Sequence, residues 1–180
     1  MQLKMDLCGI MLQFKVYNYE PSVHEKWDDQ WCRCDFSLSS GNWLNYRKVM
    51  DEVLLSCEVE SIADNLQKLL NDELTEKTEI NFIEPDFQMT LCPKRDLRDD
   101  PKYLYVQPGH EIVDIYMDWR TYFWNEGLTD NYISVTLGRE DIEILFTYLQ
   151  YVIGRLDAHS PEIQDLINRD FLIGTVESSI

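Results

Sequence analysis

The sequence predicts an α+β domain: a large twisted antiparallel sheet with two amphipathic helices packed on one face and a short C-terminal helix. Three observations carry this. Most of the chain alternates apolar and polar residues with period two, the mark of half-buried strands. Successive strand runs are separated by short turn signals, which pairs neighbours antiparallel. Only two long stretches carry a helical apolar stripe, and two such helices are a natural cover for the buried face of a sheet whose other face is wet. A chain of 180 residues, 44 % hydrophobic, is the size of one domain. Residues 1–157 are read as that domain, and 158–180 as an extension made of a short helix and a frayed tail.

Met11 to Tyr17 reads as the first strand, with Leu12, Phe14 and Val16 on one face. A polar loop runs from Glu20 to Gln30. Trp31 to Leu38 alternates cleanly, with Cys32, Cys34, Phe36 and Leu38 as a core row. Ser39-Ser40-Gly41-Asn42 is turn chemistry, so Trp43 to Met50 is expected to return as its partner. Helix one is placed from Ser56, whose hydroxyl is expected to cap the first-turn amides. Its stripe is Ile62, Leu66, Leu69 and Leu70, and Asn71-Asp72 ends it. Glu79 to Glu84 and Asp86 to Cys92 are strands on either side of Pro85, which lacks an amide hydrogen. Lys102 to Gln107 is expected as a short strand. Glu111 to Trp119 is the clearest one, with Val113, Ile115, Met117 and Trp119 inward. Tyr132 to Leu137 runs back into helix two, which opens after Gly138 with Glu140 and Asp141 at its positive end. Ser160-Pro161-Glu162 starts the third helix.

The chain holds 33 Asp and Glu against 16 Lys and Arg, a net charge of −17. The excess is not a tail: residues 1–90 carry a net −9 and residues 91–180 a net −8. Such a surface repels phosphate backbones and anionic lipid, so neither nucleic acid nor membrane is expected as a partner. It attracts a basic protein instead. Five cysteines in a chain of this size argue against a disulfide framework. No signal peptide or apolar span of about 20 residues is visible. A cytoplasmic location with reduced thiols is therefore expected.

The search for chemistry returns little. His24, His110 and His159 all fall in expected loops, and no Gly-x-Ser-x-Gly elbow, phosphate loop or metal-ligand spacing is present. No catalytic residue, metal or cofactor is assigned. Two rival readings stay open. Trp27/Trp31 and Tyr122/Trp124 could stack on a planar ligand of a binding module, and a pair of carboxylates such as Glu84 and Asp86 could serve a hydrolase.

The wet sheet face is the main binding candidate. Alternation places Arg33, Asp35, Ser37, Gln88, Thr90, Asp114, Tyr116, Asp118, Tyr132, Ser134 and Thr136 on it. Tyrosine joins apolar area to a hydroxyl and suits interfaces. The docking residues expected here are Asp114, Tyr116, Asp118, Tyr132 and Asp35. A competing rim of loops holds Asp28, Asp29, Asp96, Asp99, Asp100, Trp124 and Glu126.

The order of these signals carries a resemblance. Trp27-Asp28-Asp29-Gln30-Trp31 opens an alternating strand; helix one follows; Phe82-Ile83-Glu84-Pro85-Asp86-Phe87 leads into another strand; Ile133 to Leu137 runs into Gly138-Arg139-Glu140-Asp141-Ile142. Over roughly Met11 to Leu156 this resembles the WapI family of bacterial immunity proteins. The resemblance implies a cytoplasmic, non-enzymatic antidote. Its partner would be the toxic C-terminal domain of a contact-delivered, wall-associated toxin, often a tRNA-cleaving nuclease. It supplies no catalytic or interface residues to carry over.

Overall fold

Cys8 and Gly9 both adopt left-handed backbone, with φ of 55° and 89°. A two-residue hairpin loop of that hand matches the twist of its flanking strands. In the computed structural model, which describes residues 1–21, 30–124 and 127–174, this loop folds Gln2–Leu7 (β1) onto Ile10–Tyr17 (β2). The Asp6 carboxylate locks the turn by accepting the Gly9 amide at 2.7 Å. β1 was absent from the sequence reading, which began the sheet at Met11. It directs Leu3, Met5 and Leu7 into the core.

β2 pairs with Trp31–Ser40 (β3), and β3 with Leu44–Leu55 (β4). Cys32, Cys34, Phe36 and Leu38 are buried, as their alternation requires. β4 runs five residues past Met50, where the expected strand stopped. An irregularity between Cys34 and Phe36 absorbs an extra residue, with Met50 at φ 52°. A second irregularity, between Cys32 and Arg33, leaves Val53 as an extra residue, and Val53, Leu54 and Leu55 are all buried.

Ser56–Leu70 forms α1. Its cap differs from expectation. Leu55 stands at the capping position, and the buried Ser56 hydroxyl lies 3.5 Å from the Cys32 sulfur. Glu58 does the capping from three residues on, accepting the Leu55 amide at 2.8 Å with one oxygen. Its other oxygen takes the Ile83 amide at 2.7 Å. Burial of Glu58 raises its carboxyl above the ordinary value, against the lowering effect of those two amides.

The chain then builds Thr78–Asn81 (β5) and Phe87–Cys92 (β6), followed by a two-stranded ribbon of Arg95–Asp96 (β7) and Ile112–Val113 (β8). Tyr116–Trp124 (β9) and Leu128–Leu137 (β10) complete the second large sheet, ordered β10-β9-β6-β5. Arg139–Val152 (α2), Pro161–Asn168 (α3) and Leu172–Ile173 (β11) follow.

Two expected strands are corrected. Lys102 to Gln107 is not a strand, because its backbone finds no neighbouring strand and turn bonds take its place: the Tyr103 amide donates to the Asp100 carbonyl and the Lys102 amide to the Asp100 side chain, both at 3.0 Å. Glu111 to Trp119 is split at Asp114-Ile115, since its first part pairs with β7 and its second with β6.

The α+β class and the antiparallel pairing stand. The strands, however, divide among a five-stranded sheet (β11-β1-β2-β3-β4), the four-stranded sheet and the ribbon, and do not continue as one surface. The break falls where β4, an edge strand, leads into α1. The inner faces of the two large sheets meet in an aromatic cluster: Phe36 lies 4.7 Å from Phe87 and 5.7 Å from Trp119, and Phe14 lies 5.8 Å from Trp119, centroid to centroid. α1 packs against α2, β4 and β6, and α2 against β1, β9 and β10, so the helix pair spans both sheets. The Tyr148 hydroxyl of α2 accepts the Val16 amide at 3.0 Å. After residue 157, α3 buries Ile163 and Leu166, and β11 pairs with β1. Among the described residues no helix is long and apolar enough to cross a membrane.

Candidate partner-binding surface

Because the strands form two large sheets, the single wet face expected from the sequence becomes two. Arg33, Asp35 and Ser37 lie on the five-stranded sheet. Tyr116, Asp118 and Tyr132 share the outer face of the four-stranded sheet, opposite buried Met117, Trp119 and Val135. Cross-strand register lays this face out in rows. Thr136 stands opposite Asp118, Ser134 opposite Arg120, and Tyr132 opposite Tyr122.

Several polar groups there have local partners. The Thr136 hydroxyl donates to Asp118 at 2.6 Å. Arg120 donates to Gln88 at 3.0 Å and stands 5.0 Å over the Tyr132 ring. That ring packs 5.4 Å from Tyr122. Hydrogen bonding to Cys92, with burial, raises the Tyr116 phenol above its usual value. Thr90, expected on this face, is buried. Tyr132, 46 % exposed, is the apolar centre. Arg120 offsets Asp118, so the face is aromatic and polar more than acidic.

Asp114 lies just before β9, and Arg139 at the start of α2 grips it with two hydrogen bonds of 2.8 Å. Those bonds hold its carboxyl down at about 2. Since the pKa is lowered, the pair stabilises the fold above the ordinary carboxylate value near ~4, and that contribution fades as pH falls toward 2. The pair is half exposed, so it contributes only about 0.2–1 kcal/mol. A carbon-detected NMR titration is expected to show Asp114 titrating near 2. In Arg139→Gln it should return toward ~4. An unmoved midpoint would refute the pairing.

Asp35 is occupied by the fold. It accepts the Tyr17 hydroxyl at 2.8 Å and the Met50 amide at 2.9 Å, fixing the irregularity in β4. Asp28, Asp29, Trp27 and Glu126 lie outside the described residues.

Trp124 sits at the far end of β9, beside a cleft of about 380 Å³ lined by Trp31, Lys48, Asp51, Glu52, Glu84, Asp86 and Trp124. The cleft joins β3 and β4 of one sheet to the Glu84-Pro85-Asp86 step before β6 of the other. Lys48 reaches in from β4, pairs with buried Asp86 and with Asp51 at 3.1 Å, and stands 5.1 Å from the Trp124 ring. Burial alone would lower its pKa, but the two carboxylates outweigh that and raise it. Arg33 lies 3.8 Å from Glu52, and Glu84 has no ion pair among the described residues. Tyr122 and Trp124, expected as one stacking pair, turn to different partners, Tyr132 and Lys48.

Trp31, the Glu84/Asp86 pair and Trp124 stand out in the sequence; Lys48, which lies among them, and Arg120 do not. Lys48 follows Arg47 on an alternating strand, and nothing in that local pattern marks which of the two bases is drawn into a partly buried ion pair.

The exterior of the described residues thus presents aromatic rings and locally paired charges. Residues 5–157 match the model of the immunity protein WapI-like family, and the chain belongs to that family. No curated protein matches it.

Proposed function

We propose that the chain is a non-enzymatic cytoplasmic immunity protein that binds and neutralises a basic toxin domain, a nuclease that grips RNA phosphates with Lys and Arg. Family membership supports an immunity role and a toxin partner in general. The charge carries the finer reading. The chain has a net charge of −17, and among the described residues Arg33, Lys48, Arg98, Arg139, Arg155 and Arg169 are already tied to carboxylates of the same molecule. The outward field is therefore negative, and it steers a basic partner into encounter.

Tyr116, Asp118 and Tyr132 form one docking face in this reading, with Asp114 at its end. Trp124, beside its cleft, offers a second contact, and the acids Asp28 and Asp29 are further expected contacts. Asp35 supports from behind through β4. Buried aromatic anchors then slow release. Mixing the purified chain with the toxin domain encoded beside it tests this: toxin cleavage of tRNA should fall linearly and vanish at one equivalent. Undiminished cleavage at a tenfold excess would refute it.

A further inference from the structure

Between the strands of the β7–β8 ribbon, residues 97–111 project as a finger. Its tip is anomalous. Tyr103 to His110 contains no Asp, Glu, Lys or Arg, in a chain that is 27 % charged. The other uncharged runs of that length lie in β1–β2, β3–β4, β10 and α2, where such runs feed the core. Here the side chains point out: Leu104 is fully exposed, Tyr105 is 76 % exposed, and Tyr103 and, at the base of the finger, Ile112 are exposed too.

The finger is nonetheless ordered by its own bonds. The Leu97 amide donates to the Glu111 carbonyl at 2.7 Å, closing the base. The Tyr103 amide turns onto Asp100, the His110 amide onto Gln107, and the Gly109 amide onto the Glu111 carboxylate at 2.8 Å. Large apolar groups held in water on a pre-ordered loop cost little further entropy to bury, which is the make-up of a binding anchor.

We propose that Tyr103-Leu104-Tyr105 is the apolar anchor with which this chain seats itself in a concave, base-rimmed cleft of its toxin domain; the proposal rests on the immunity reading above. Charge selects this occupant over a second copy of the chain. Two bodies of net −17 repel; within the finger Arg98 is tied to Asp96, and Asp99, Asp100 and Glu111 outnumber Lys102, which complements a basic rim. A projecting tip also suits a concavity better than its own twin.

Binding of the toxin domain is to be followed by stopped flow and calorimetry for the full chain, for Leu104→Ala with Tyr105→Ala, and for Leu104→Asp. Thermal unfolding should be unchanged in both variants, because these side chains touch no core. Dissociation should speed up by roughly 30-fold or more with association nearly constant, as for an anchor inside an interface. Affinity within threefold of the parent would overturn the proposal while leaving the immunity reading intact. No binding by the parent would overturn both. A concentration-dependent dimer of the parent that Leu104→Asp dissolves, with toxin binding unaltered, would assign the finger to a second copy and overturn it.

Discussion

Lys48→Met should lower the stability of the chain by about 3 kcal/mol, near the lower end for breaking a buried ion pair because the pair opens onto a cleft. Asp86 is 3 % exposed and its carboxylate pairs with the Lys48 ammonium. Removing the amine leaves that carboxylate buried without a counter-ion, in a poor solvent for its charge. Lys48→Met combined with Asp86→Leu should recover most of the loss, since replacing both partners by apolar groups leaves nothing unpaired. Urea unfolding of the three chains measures this. A single-variant loss under about 1 kcal/mol would show that the pair does not join the two sheets.

Trp119→Ala should cost about 3–5 kcal/mol, the range for deleting a large aromatic from a close-packed core. Trp119 is fully buried and meets Phe14, Phe36 and Phe87 at 5.8, 5.7 and 5.3 Å. Two of these rings come from the five-stranded sheet, so the cavity would open at the contact between sheets, where neighbours on separate sheets cannot readily collapse into it. A domain stable by about 5–15 kcal/mol loses much of its margin this way, and the melting temperature should fall by on the order of 10 °C. A fall under about 3 °C would mean that the two sheets do not share one core.

The elements that alternation defines were legible in the sequence. Cys32 to Leu38 and Ile115 to Trp119 point inward as their period demands, and the stripes of α1 and α2 bury the residues that recur at helical spacing. What was illegible depended on how elements meet in space. β1 is short and ends at Leu7 before the Cys8-Gly9 turn, so its pairing shows only once the hairpin forms. Splitting the strands between sheets depends on where β4 hands over to α1, and period two looks the same in one sheet or in two. Lys102 to Gln107 reads as a strand because Tyr103, Tyr105 and Val106 have strand propensity; only the absence of a pairing neighbour makes it part of a projecting finger. For the surface, the sequence indicated Tyr116, Asp118 and Tyr132 as one face. It could not show that Asp114 is held by Arg139 or that Asp35 secures β4, because both are side-chain contacts between separate elements.

The central claim, capture of a basic toxin domain by a negative field, is tested most directly by the association rate of chain and toxin domain across ionic strength. The account predicts association toward ~10⁸ M⁻¹s⁻¹ at low salt, falling steeply as salt screens the charges, with the dissociation rate nearly constant. An association rate that stays near ~10⁵–10⁶ M⁻¹s⁻¹ at every salt concentration, or no association at low salt, would contradict it.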